Sequence, residues 1–178
     1  MSKDLVEIKR LKQVDRNLTV RTKNGTYSNE NINRGSLMVC WESEYKKTAV
    51  AVGINPSKAN DQRSDLTLTK LSRFLNAYGY CEFTMLNIFE NYSTYQSGID
   101  CSTEINLYNY EEYIENADAI FIVWGVNNKQ YAEQKERVLS VLKRYSDKLF
   151  CIKNSNGNFP AHPRRMEYDK FSVIRYEI

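Results

Sequence analysis

Three polar side chains stand out for where they fall along the chain. Asn55 lies in Gly53-Ile54-Asn55-Pro56-Ser57, directly after the apolar run Ala49-Val50-Ala51-Val52. Asn87 closes a second apolar run. His162, the only histidine, is followed by proline in Ala161-His162-Pro163-Arg164-Arg165. A buried strand that ends in Gly and Pro releases the chain into a tight loop. In an open α/β sheet, the loops leaving the carboxyl ends of the strands are where ligands bind. Amides donate and accept hydrogen bonds at once, so they suit the edge of a neutral heterocycle, but they are not strong general bases. Asparagine is also an ordinary turn former. With 18 in the chain, that plainer reading holds for any one taken singly.

The elements that must position these residues follow from apolar spacing. Leu37 to Trp41 reads as a strand, Glu42 to Lys47 as a polar hairpin turn, and Thr48 to Ile54 as a central strand, apolar throughout. Asp65-Leu66-Thr67 opens a helix whose Leu68, Leu71, Phe74 and Leu75 recur at helical spacing, and Gly79 stops it. Glu82 to Phe89 is a strand. Ile105 to Asn116 is a helix capped by Ser102 or Thr103. Ala119 to Trp124 is a buried strand, Asn128 to Tyr145 an amphipathic helix, Lys148 to Lys153 a strand and Phe171 to Tyr176 a terminal edge strand. Strands alternating with helices predict one three-layer α/β/α domain over residues 1–178 with a mostly parallel central sheet. Residues 1–36 form a polar N-terminal extension packed on it, with Leu5, Ile8 and Leu11 in a short element and a turn at Asn24-Gly25. The strand exits then bring together Asn55-Pro56-Ser57-Lys58, Asn87 to Asn91, Trp124 to Asn127, and Asn154 to Asn158 with His162.

Bulk properties narrow the chemistry. The 178 residues are 42% hydrophobic, which suits a single domain with a full core. The formal net charge is +3, too small by itself to argue for nucleic acid. No stretch approaches the ~18 apolar residues of a membrane span, and Met1-Ser2-Lys3-Asp4 lacks the apolar core of a signal peptide. Cys40, Cys81, Cys101 and Cys151 are scattered, with no C-x-x-C pair and one histidine, so reduced buried thiols in a cytoplasmic protein are expected, without metal or cofactor. Gly-x-Gly-x-x-Gly, the P-loop and the Gly-x-Ser-x-Gly elbow are all absent, so Ser57 with His162 does not read as a nucleophile and its base.

Gly53-Ile54-Asn55-Pro56 resembles the first motif of the uracil-DNA glycosylase superfamily, nearest its mismatch-specific branch. Met85-Leu86-Asn87 resembles that superfamily's middle strand, and His162-Pro163 the start of its last motif. More narrowly, Asn55-Pro56-Ser57-Lys58-Ala59, Asp65-Leu66-Thr67, Gly79-Tyr80 and Leu86-Asn87-Ile88-Phe89 are similar to a bacterial and phage family catalogued as domain of unknown function 1643. The resemblance covers roughly residues 37–165 and implies a uracil-DNA glycosylase-like fold. It implies that Asn55 holds the attacking water, that Asn87 reads the Watson–Crick edge of an extruded base, and that His162 stabilises charge on the departing base. Met166 falls where that last motif has its wedge into the flipped-base gap. Phe74 or Tyr78 would supply a stacking face. Ser57, Lys58, Arg164 and Arg165 would contact DNA or a protein partner.

The departures point away from full activity. Asn55 lacks the carboxylate of the classical uracil enzymes. Ser57 stands where they have a pocket-closing Tyr, and Arg164-Arg165 where they have a phosphate-clamping Ser-Pro. The expectation is therefore a pseudoenzyme with weak or lost glycosylase activity. It would act as a binding protein, or as a decoy for a small acidic DNA-mimic inhibitor protein, or would bind DNA. The alternative is an active glycosylase that hydrolyses the N-glycosidic bond of uracil or a modified base. A small-nucleotide binder from a mobile-element context is the third reading.

Overall fold

The chain runs β1 (Glu7–Ile8), β2 (Val20–Ser28), β3 (Asn33–Trp41), β4 (Lys47–Gly53), α1 (Leu66–Asn76), β5 (Tyr80–Asn87), α2 (Glu111–Asn116), β6 (Ala119–Ile122), α3 (Ala132–Leu142), β7 (Leu149–Lys153) and β8 (Ser172–Arg175). This computed structural model describes residues 7–28, 30, 33–126 and 129–178. The readings placed on Met1 to Asp4, Leu5, Asn127 and the Asn128 helix start lie outside the described residues.

The strands form one eight-stranded sheet in the order β1-β8-β7-β6-β4-β5-β3-β2. Its centre, β7-β6-β4-β5, is parallel. The flanking pairs β1-β8, β8-β7, β5-β3 and β3-β2 are antiparallel. The sheet is therefore mixed, where a mostly parallel one was expected. Only the connections β4-α1-β5, β5-α2-β6 and β6-α3-β7 carry the crossover helix that parallel neighbours require. The expected hairpin at Glu42–Lys47 is also corrected: β5 sits between β3 and β4, so they do not pair. The Asn24-Gly25 turn is an irregularity inside β2, with Asn24 at φ 52° and the register shifting between Lys23 and Thr26. β8 is not the edge, because β1 pairs outside it.

Alternation within the central strands fills both faces. Ala49, Ala51, Phe83, Met85, Phe121 and Ile152 pack with the apolar stripe of α1. Val50, Val52, Leu86, Ile120, Ile122 and Leu149 pack on the other side with Ile114 of α2 and Val138 and Leu142 of α3. Buried on both sides, these strands needed near-continuous apolar sequence. α1 starts where expected, with the Asp65 carboxylate accepting from the Leu68 amide at 3.0 Å. The 105–116 helix divides instead. Asn106, not Ser102 or Thr103, caps a 3-10 turn at Leu107–Tyr110, and α2 follows after Tyr110 leaves helical geometry. The expected helix to Tyr145 ends at Leu142 and continues as 3-10 turns through Lys148. All four thiols are free. Cys151 is buried, while Cys101 is exposed. Among the described residues no helix is long and apolar enough to cross a membrane, and no cluster of acidic, His and Cys side chains could hold a metal ion.

β4 is the point where strand order reverses: β5 lies on one side of it, β6 and β7 on the other. The exits of β4, β5 and β7 therefore open along one edge of the sheet, at a topological switch point.

Candidate functional site

A cavity of about 150 Å³ opens at that edge. Gly53 to Ser57 leave β4 along one wall, Asn87 ends β5 at the back, and Asp65, Thr67 and Leu68 bring the start of α1. Arg34 enters from β3, Ser93 and Thr94 from the loop after β5, and His162 and Arg164 from the segment after β7. Asn55, Asn87 and His162, separated by as much as 107 positions in sequence, thus face one space.

The Asn55 loop is fixed by its own side chain. Its amide nitrogen donates to Pro56 O at 3.0 Å and to Ser93 O at 2.7 Å. The Ser93 amide returns a bond to Pro56 O at 3.0 Å. Both N–H groups of the amide are spent on the scaffold, so the oxygen Oδ1 is the atom left to accept from a water or ligand.

Asn87 is different. It is 1% exposed, and neither its Oδ1 nor its Nδ2 has a hydrogen-bond partner. Buried carboxamides are nearly always paired, and an unpaired one costs about 1–3 kcal/mol per group. The space for it comes from Gly53, its partner in the β4–β5 register. A Cβ at position 53 would lie 2.9 Å from Asn87 Oδ1 and 2.6 Å from Met85 Cε. The glycine that ends β4 is thus the residue that admits the amide.

His162 stands on the exposed rim and heads a 3-10 turn, Pro163–Arg165. Its Nδ1 accepts from the Arg164 amide at 3.2 Å. The neutral ring then carries its proton on Nε2, which is a donor. Crowding by protein around the ring pushes its pKa below the ordinary imidazole value. Arg164 and Arg165 push the same way, and Asp65 opposes them. Because solvent reaches the residue, the effect is that of a packed rim rather than of a core, and the neutral form prevails at pH 7.

Sequence reasoning missed two charged lining residues, and Ser93 and Thr94 of the loop after β5 as well. Arg34 is 2% exposed. Its Nη1 donates to Ala59 O at 2.7 Å, its guanidinium lies 5.7 Å from the Tyr92 ring, and its buried Nε has no acceptor. Burial pulls its pKa down, against small opposing effects of Tyr92, Asp65 and Tyr27. β3 begins at Asn33, so starting the strand four residues before Leu37 would have drawn Arg34 in. Asp65 was read as a helix start, and its carboxylate borders the cavity as well.

Other expected residues fall elsewhere. Ser57 and Arg164 line the cavity, whereas Lys58 and Arg165 are exposed outside it. Phe74 is fully buried. It packs 4.9 Å from Tyr78 with the Arg10 guanidinium 5.1 Å from its ring, so it offers no face to the cavity, and Tyr78 is 5% exposed. Met166 is 3% exposed, inside the core beside α1, and cannot serve as a surface wedge where it sits. Both follow from packing, since α1 needs large apolar partners on its buried stripe. A roomier cleft of about 390 Å³ lies beyond Tyr92, lined by Tyr27, Asn60, Asp61 and Gln62. Several of its polar groups are engaged by the scaffold. Asp61 Oδ1 accepts from the Gly25 amide, and Tyr92 donates to Ala59 O. The smaller cavity holds the Asn87 amide and Arg34 Nε, both buried without a partner.

A family model described as protein of unknown function (DUF1643) matches residues 34–164. No curated protein and no solved structure matches the chain. The matched span takes in Arg34 at its start, His162 near its end, and every cavity-lining residue between them.

Proposed function

The chain belongs to the DUF1643 family, and from that premise we propose a uracil-DNA glycosylase-like binding protein whose base-excision activity is weak or lost. The observation that carries this reading is the buried, unpartnered Asn87 amide over Gly53. One donor and one acceptor side by side match the edge of a nucleobase, and a cavity of about 150 Å³ suits a single ring. Asn55 offers Oδ1 to a water but no negative charge to a developing oxocarbenium ion, so it orients better than it stabilises. Asp65, the one carboxylate on the cavity, spends Oδ1 on the Leu68 amide.

Arg164 on the cavity wall is exposed, and so are Lys58 and Arg165, the sequence neighbours of the lining residues Ser57 and Arg164. Their partner class is acidic: a DNA strand, or a small inhibitor protein that imitates one. The test incubates the protein with uracil-containing single- and double-stranded DNA and, separately, with a DNA-mimic inhibitor protein. Complex formation that weakens with salt and fails in Arg164→Glu supports the binding reading. No complex with either at micromolar concentration sinks it.

The tautomer of His162 favours a second reading, an active base glycosylase. A neutral ring donating from Nε2 is the form able to stabilise negative charge on a departing base. Abasic sites formed in uracil- or mismatch-containing DNA, and absent with Asn55→Ala and His162→Ala, would establish that activity.

A further inference from the structure

We propose that Arg34 makes the cavity selective for a planar hydrogen-bonding ring that carries a carboxylate, with carboxylated pyrimidines as the ligand class. This rests on the cavity being a base-edge site and adds the charge of its occupant. Asn87 by itself would take a neutral ring. Arg34 lines the same cavity, 2% exposed, with one N–H given to Ala59 O and its Nε unsatisfied. No Asp or Glu among the described residues forms an ion pair with it; Asp65 acts on it only as a minor electrostatic neighbour.

The charged residues on the cavity wall are Arg34 and Arg164 against Asp65, which leaves one positive charge in excess with His162 neutral. A buried guanidinium without a counter-ion is costly. A carboxylate repays that cost best, because its two oxygens match the planar N–H fork. Inorganic phosphate would meet the charge, but its tetrahedral oxygens offer no planar donor-and-acceptor edge to the Asn87 amide. A pyrimidine supplies both a ring N–H and a carbonyl for the amide. Size agrees: an engineered apolar cavity of roughly 150 Å³ holds benzene, so one six-membered ring fits and a purine nucleotide does not.

The test is calorimetric titration of the full chain with uracil, orotate and 5-carboxyuracil, repeated in Arg34→Met, Arg34→Lys and Asn87→Leu. At least one carboxylated ring is expected to bind about tenfold more tightly than uracil, equivalent to roughly 1.4 kcal/mol. Arg34→Met should erase that preference, Arg34→Lys should reduce it, and Asn87→Leu should weaken all three ligands together. Equal binding of charged and uncharged rings, or a preference that survives Arg34→Met, overturns the role of Arg34 and leaves the base-edge reading standing. Failure of every pyrimidine to bind overturns both. Should Arg34→Met not fold, Arg34→Lys decides: an unchanged preference overturns the proposal and a several-fold loss supports it.

Discussion

Asn76, the last residue of α1 before strand β5, and Asn87, the last residue of β5, are 2% and 1% exposed and have opposite hydrogen-bond accounts. Before the strand begins, Asn76 Oδ1 accepts from Trp41 Nε1 and from Ser43 Oγ, each at 3.2 Å. At its end, neither atom of the Asn87 amide is paired, and Arg34 Nε is in the same position. A third buried asparagine, Asn91, resembles Asn76: it donates to Gly98 O at 2.9 Å and accepts from the Asp100 amide at 3.1 Å, which organises the loop between them. Burial alone therefore does not separate scaffold from site. The hydrogen-bond ledger joined to position does: Asn33 Oδ1 and Arg73 Nε are unpaired as well, but of the four residues with unpaired buried groups among those described, Asn87 and Arg34 are the two that line the cavity, where a ligand could satisfy them.

The sharpest way to break this comparison is to remove the amides at nearly constant shape. Asn76→Leu strands the Trp41 indole N–H and the Ser43 hydroxyl, and should cost about 2–3 kcal/mol in urea denaturation. Asn91→Leu should cost a similar amount. Asn87→Leu removes two unpaired groups, so it should leave stability unchanged or raise it by about 1–3 kcal/mol while abolishing ligand binding. Equal destabilisation at positions 76 and 87 would mean that Asn87 has scaffold partners after all, and the functional assignment of the cavity would fall.

Gly53→Ala tests the same contrast from the other side of the amide. Its added Cβ displaces Met85 and presses on Asn87 Oδ1. Met85 meets it with the end of a flexible side chain and can turn away, whereas Asn87 is held at the end of β5. The expected cost is about 1–2 kcal/mol, with loss of ligand binding. Combining it with Asn87→Ala should return part of that stability. Additive losses in the double variant would show that the strain lies elsewhere.

How much of this was legible in the sequence depends on what each feature requires. The central strands and α1 were legible because a strand covered on both faces, or a helix with one buried stripe, must repeat apolar residues at a fixed period. Asp65 before Leu66-Thr67-Leu68 marked its helix by capping chemistry. The antiparallel margins were not legible. β2 is polar, with Val20 and Thr22 among charged neighbours, and gains its order from pairing with β3 rather than from its own pattern. The site was half legible. Asn55, Asn87 and His162 end or follow apolar runs and are next to proline or a strand exit, so their convergence could be read. Arg34 was legible only as a strand residue, because a single arginine near a strand start points to no cavity until topology places β3 beside β5. Phe74 and Met166 went wrong for one reason: aromatic and thioether side chains suit ligand contact and core equally, and α1 claimed both for the core.

The smallest expected effect concerns the rim. The His162 pKa lies below the ordinary imidazole value, chiefly through crowding and then through Arg164 and Arg165. Above about pH 6.5 the ring is neutral both folded and unfolded, so it contributes no pH dependence. As the pH falls below that value, the unfolded chain takes up the proton first and folding loses stability. The loss levels off once the folded ring titrates too. His162→Asn keeps an acceptor for the Arg164 amide but has no proton to gain. The difference in stability between pH 8 and pH 5.5, measured by urea denaturation, should therefore be smaller in His162→Asn than in the parent protein. A parent that grows more stable on acidification relative to the variant would place His162 next to an unrecognised acidic partner. That result would remove the neutral, Nε2-donating ring on which the catalytic reading depends, while leaving the paired and unpaired asparagines around β5 untouched.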